Sequence, residues 1–243
     1  MMNEAFDDLA LDTEAPESGT AGLTGTPADL MPSHPLTQHL TRLLTAPPSA
    51  RVAMAVGELA SAMDHAAGDD AFAVAVSAVK PGHKMGFTAL TLAALWGRWG
   101  RPTCLIELGT GKTSIGGAVR STSPDLAAAC DQASAGRRVT GVSSLHAQLP
   151  DTGIIAANQG DVLQLVSRGG LKLLVNSLKN DFERIVVAAP SMESAFPVLS
   201  LYGFCDRLVM SLVAGESRAA PLRELAKHAL MQGMPPIEAI WHD

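Results

Sequence analysis

The stretch Ala71-Phe72-Ala73-Val74-Ala75-Val76-Ser77-Ala78-Val79-Lys80-Pro81-Gly82-His83-Lys84-Met85-Gly86-Phe87-Thr88 decides how the rest of the chain is read. Its first eight residues are small or apolar almost without interruption, the composition of a strand buried on both faces. A Pro-Gly pair then turns the chain. A helical apolar pattern runs on from Met85 to Trp96, so strand, tight turn and helix follow one another as in the first half of a βαβ unit.

The same alternation continues outward from this stretch. Strands are expected at 103–108, 153–157, 184–189, 207–213 and 237–241, with helices at 161–178, 193–202 and 219–231. Strands separated by helices imply right-handed crossovers and a mainly parallel sheet covered on both faces. Upstream, residues 36–70 read as a helical lead-in: Leu36, Leu40, Leu43 and Leu44 share one face of a first helix, and an Ala-rich second helix follows. Residues 1–35 are acidic and rich in Gly, Pro, Thr and Ser, and are expected to be a disordered arm. Within it Ala5-Phe6-Asp7-Asp8-Leu9-Ala10-Leu11 could dock as a short peptide, although a solvated tail is the simpler reading. The organisation expected is thus an arm at 1–35, the lead-in at 36–70 and an α/β domain at 71–243.

Charge and cysteines narrow the partners and the compartment. The net charge of −6 lies in the arm, since residues 1–41 hold Glu4, Asp7, Asp8, Asp12, Glu14, Glu17 and Asp29 and no Lys or Arg. No basic stripe remains for a phosphate backbone, so nucleic acid is not expected as a partner. Only 17% of residues are charged, a low share that suggests a surface covered by another protein. Cys104, Cys130 and Cys205 have neither CxxC nor Cys/His ligand spacing and are expected to be reduced and buried. The seven histidines show no metal-binding pair, so no metal site is expected. With no long apolar run and an acidic start, the chain is expected in the cytoplasm, at most peripheral to a membrane through a partner.

The order of segments and the positions of three motifs over residues 71–243 resemble the cytoplasmic ATPase domain of bacterial tyrosine kinases and their relatives in polysaccharide secretion, within the ParA/MinD group of partitioning and septum-positioning ATPases. That resemblance implies a doubly wound α/β fold of the deviant P-loop NTPase type, with helices on both faces of a mainly parallel sheet. Where the family reads Pro-Gly-Glu-Gly-Lys-Ser-Thr, this chain reads Pro81-Gly82-His83-Lys84-Met85-Gly86-Phe87, then Thr88. Met85 therefore stands in the place of the phosphate-binding lysine, Gly86 in that of the magnesium-binding hydroxyl, and Lys84 in that of a glycine. The family's Asp-x-Asp strand end is here Glu107-Leu108-Gly109, and its Walker B aspartate is Ala188 within Phe182-Glu183-Arg184-Ile185-Val186-Val187-Ala188-Ala189-Pro190.

A second lysine motif, Gly109-Thr110-Gly111-Lys112-Thr113, ends like a P-loop, but a full pattern would put its first glycine at Ile106 inside a strand, so a turn is the better reading. The kinases' tyrosine cluster has no counterpart: Tyr202 is the one tyrosine. No catalytic residue and no cofactor are expected, and the resemblance then implies a degenerate ATPase acting as a regulatory or scaffolding partner of a membrane polysaccharide synthesis or export complex, with self-association possible. Two alternatives stand beside it. One is an active, non-standard ATPase or kinase using ATP and magnesium, with Lys80, Lys84 or Lys112 as the cation and Glu107 as the carboxylate. The other is a spatial positioning protein of the ParA/MinD kind.

Overall fold

The computed structural model describes residues 23–25, 29–45, 51–109, 115–120, 125–157, 162–194, 197–215, 217 and 219–242. Strands β1 (Leu23–Gly25) and β2 (Asp29–Leu30) precede helices α1 (Pro35–Thr45) and α2 (Arg51–Ala67). Then come β3 (Phe72–Ala78), α3 (His83–Arg98), β4 (Thr103–Glu107), the short α4 (Ile115–Ala118), β5 (Val119–Arg120) and α5 (Leu126–Ser134). The hairpin β6 (Val142–His146) and β7 (Leu149–Ala156) leads to α6 (Val162–Ser167), α7 (Gly170–Leu178) and β8 (Arg184–Ala188). Two short 3₁₀ turns, β9 (Arg207–Val213), α8 (Ala219–Met231) and β10 (Ile237–His242) complete the chain.

Eight strands form one sheet in the order β1-β6-β7-β4-β8-β3-β9-β10, parallel throughout except between β6 and β7. Strands β4, β8 and β3 are parallel neighbours there: Thr103 and Phe72 both pair in register with Arg184. Side-chain alternation divides the core in two. Ala73 and Ala75 of β3 point into one apolar layer with α5, α7 and Leu225 of α8, whereas Val74 and Val76 point into the other with α1, α2 and α3. Helices therefore cover both faces, as a doubly wound sheet requires.

One buried cation fixes the opposite end of the sheet from the β3–α3 turn. The Arg184 guanidinium donates to the Asp64 carboxylate, to Gly68 O at 2.7 Å and to Asp70 O at 3.0 Å, tying the end of α2 to the start of β8. All three cysteines are free and buried, as expected; burial pushes Cys130 up to about 12 and the other two higher still.

Four expectations are corrected. The arm is not unstructured up to residue 35: Leu23–Gly25 pairs with β6 and Asp29–Leu30 with β5, and Met31 N–H donates to Ala118 O at 3.0 Å. The peptide at 5–11 lies outside the described residues. The strand expected at 153–157 is the second arm of an antiparallel hairpin closed by His146, whose Nδ1 accepts from Gln148 N–H at 3.1 Å. The helix expected at 161–178 breaks at Gly169, which turns left-handed at φ 75°, and that expected at 193–202 is two 3₁₀ turns, Met192–Ser194 and Val198–Gly203. Among the described residues no helix is long and apolar enough to cross a membrane.

Candidate functional site

The three motif positions meet at one place, the carboxyl edge of β4, β8 and β3. Glu107 is paired with Ala188, and Ala188 with Val76, so the ends of the three strands stand side by side where the β3–α3 turn leaves the sheet. Ligands of open α/β sheets bind at this kind of edge. The turn is short, because α3 has already begun at His83. Lys84 and Met85 are thereby in its first helical turn, and Val79–Gly82 is what remains to surround a bound group. Gly82 is extended, and a Cβ there would meet nothing within 4 Å, so its backbone makes no use of a glycine's freedom.

Gly86 faces apolar side chains. A Cβ placed on it would lie 2.9 Å from Leu36 Cδ2, 3.2 Å from Leu36 Cδ1 and 3.6 Å from Ile115 Cγ1. Leu36 and Ile115 are both fully buried. Helices α1 and α4 thus close over the position that the resemblance assigns to the magnesium-binding hydroxyl. The next residue is covered too: the His39 ring stacks on Phe87 with centroids 4.6 Å apart, while its Nε2 lies 2.8 Å from Thr91 Oγ1. Burial pulls the His39 pKa down to about 4, so α1 lays a neutral imidazole and a leucine on the start of α3.

Thr88 carries the nearest hydroxyl on the helix, and it points elsewhere. Its Oγ1 lies 2.9 Å from His242 Nε2 and 3.3 Å from Ser211 Oγ, and donates to Lys84 O at 3.2 Å. Ser211 Oγ also reaches His242 Nε2 at 2.9 Å, which makes a buried polar trio between α3, β9 and β10.

Glu107 is fully buried. Its Oε2 accepts from Ile115 N–H at 2.9 Å, and Oε1 has no hydrogen-bond partner among the described residues. Loss of water around the carboxyl pushes its pKa up to about 8, against the opposing pull of the Ile115 and Gly109 N–H groups. Gly109 is needed for space: a Cβ there would stand 2.6 Å from Oε1. Ala188 is fully buried as well.

A cleft of about 260 Å³ on the β9 side of the turn is lined by Lys80, Lys84, Met85, Phe87 and Ser211 among other described residues, and a second space of about 350 Å³ borders Val79, Lys80, Glu193 and Pro221. Among the described residues that line the first cleft none is acidic, and its two lysines suit an anion. Among the described residues no cluster of His, Cys, Asp or Glu could hold a metal. Lys112 lies outside the described residues.

Sequence reasoning located the turn, Glu107, Gly109 and Ala188, which the fold brings together. It missed Leu36, His39, Ile115, Ser211 and His242, and it counted Thr88 in the loop although that hydroxyl turns toward Ser211 and His242. Leu36 was visible as part of an apolar stripe, but nothing in the sequence said which residue that stripe would cover.

No protein-family model matches the sequence, and no curated protein matches it. Solved structures do resemble it. The kinase domain of VpsO superposes with a TM-score of 0.63 at 18% identity, over 79% of this chain and 93% of that domain. The kinase domain of the Escherichia coli tyrosine kinase ETK gives 0.63 at 17%, over 82% and 78%. A ParA family ATPase from Chlorobium tepidum gives 0.55 at 14%, over 72% and 74%. The chain therefore has the fold of bacterial tyrosine kinase domains and ParA-type ATPases, the fold that its motif positions implied.

Proposed function

We propose that this chain is a degenerate, cytosolic kinase-like ATPase domain that performs no nucleotide chemistry and serves as a regulatory or scaffolding partner in bacterial exopolysaccharide synthesis or export. The observation that carries the reading is the closure of Leu36 and Ile115 over Gly86. In a working site a hydroxyl at that position and carboxylates at the ends of the neighbouring strands hold magnesium against the nucleotide phosphates. Here the hydroxyl is replaced by hydrogen beneath two apolar side chains, one carboxylate is replaced by Ala188, and Glu107 is sealed from solvent. These residues do not fit ATP with magnesium. The pathway rests on the resemblance to the kinases' relatives in polysaccharide secretion, and the role follows from keeping a fold's surfaces without its chemistry.

Calorimetric titration with ATP and magnesium tests this. Each charge-assisted contact of an intact site contributes ~1.5–3 kcal/mol, and losing two of them weakens binding by roughly two to four decades. No binding in the micromolar range is expected. One observation favours the rival of a non-standard ATPase, namely the cleft bordered by Lys80 and Lys84. Micromolar binding abolished by Lys84→Ala or Lys112→Ala would establish that rival, with the sensitive lysine marking its phosphate loop.

A further inference from the structure

The two edges of the sheet are unlike. β1 has three residues and an irregular register, the blunt kind of edge that discourages further pairing. β10 pairs with β9 in unbroken register over six residues, Ile237 to His242, and carries one charge, Glu238, with no Lys, Pro or bulge. His242 O accepts from Ala214 N–H at 2.9 Å, so His242, Ile240 and Glu238 direct their backbone groups at β9. Ile237, Ala239 and Trp241 therefore direct theirs outward. Trp241 is 53% exposed on this strand, and α8, which buries only Leu225 and Ala229, leaves Leu230 at 78% and Met231 at 73%. Long, weakly charged edges with exposed apolar neighbours are sites of strand addition.

We propose that two copies of this chain associate through β10, antiparallel about a two-fold axis at Ile240, so that their sheets become one. The occupant is a second copy because the strand complements itself. Only residues with outward backbone groups can exchange hydrogen bonds, which requires the axis to pass through a residue. On Ile240, it sets Ala239 opposite Trp241 twice, small against large, with four hydrogen bonds, and Glu238 opposite His242. An axis on Ala239 opposes Ile237 to Trp241 with alanine against alanine between them, and an axis on Trp241 drives two indoles together. Centring on Ile240 also keeps the two Glu238 carboxylates about 13 Å apart along the strands, at ~3.3 Å per residue. Every contact appears twice, as an isologous interface demands. Six residues a side make a small contact.

The test is sedimentation equilibrium of the full chain as a function of concentration, with Ala239→Pro and Ala239→Lys beside the wild type. Proline removes an N–H that points away from β9, so the fold keeps its own ladder while the dimer loses two of its four hydrogen bonds. The expected result is a wild-type dimer, weakened on the order of tenfold or more in both variants with unchanged thermal melting at low concentration. Mixing Ala239→Cys chains with Trp241→Cys chains under oxidation should yield a cross-linked heterodimer, and neither variant alone should cross-link. A monomer up to roughly 1 mM overturns the proposal. So does a dimer indifferent to both Ala239 substitutions, one that cross-links in another register, or a wild type that pairs only with a different protein.

Discussion

Replacing Glu107 by Gln should make the protein more stable, and by an amount that grows with pH. The folded carboxyl sits at about 8 against 4.5 for the free side chain, because burial disfavours its charged form. Between those values the folded chain holds a proton that the unfolded chain has released. Stability from this group is therefore fully present below about pH 4.5 and falls as pH rises through the folded pKa. The slope is ~1.4 kcal/mol per pH unit, so from about pH 5.5 to about pH 7.5 the wild type should lose ~2–3 kcal/mol relative to Glu107→Gln. Gln keeps the length and an oxygen for Ile115 N–H, so the difference isolates the charge. Urea unfolding of both proteins at several pH values measures it, taking the difference in stability at each pH. A difference that stays flat across this range would mean that Glu107 is ionised in the fold and paired with a cation. That result would refute the sealed-site argument and restore Glu107 as a metal-side carboxylate.

Two further outcomes follow from packing. Asp64→Ala leaves the fully buried Arg184 guanidinium without its counter-ion and should cost ~3–5 kcal/mol in chemical denaturation, more than Arg184→Met, which removes charge and cavity together. Gly153→Ala should cost ~1–3 kcal/mol, since its Cβ would lie 2.6 Å from Val142 Cγ1 and 2.8 Å from Leu23 Cδ2. The same change should speed amide exchange in β1 specifically, and unchanged exchange there would mean that Leu23 is not held against β7.

The centre of the sheet was legible because strands buried on both faces read as unbroken apolar runs: Phe72–Ala78 and Arg184–Ala188 need no partner to be recognised. The periphery was not. β6 disguises itself with Ser143 and Ser144, both buried, the latter's hydroxyl satisfied by His146 O and Leu149 O. β1 is too short for a period to show. That Gly86 and Ala188 stand where the family pattern has a hydroxyl and an aspartate could be read from the motif positions, but what surrounds them could not. Leu36 lies fifty positions before Gly86 in the chain, and only the fold brings its methyl groups over that backbone. Likewise Glu107 reads as an ordinary acid at a strand end until Ile115 and Gly109 are seen enclosing it.

The strand order sets a timetable during synthesis. β3 lies between β8 and β9, so this fully buried strand has no neighbour until about a hundred further residues have left the ribosome. At ~5–20 residues per second that is a wait of roughly 5–20 s, during which two of the most apolar strands, β3 and β4, have emerged without the strand that joins them. Leu23 waits longer, since its partner Val142 comes more than a hundred positions later. Until β8 appears β3 and β4 are unpaired apolar strands, and the cap of Leu36 over α3 is among the first contacts the nascent chain can make.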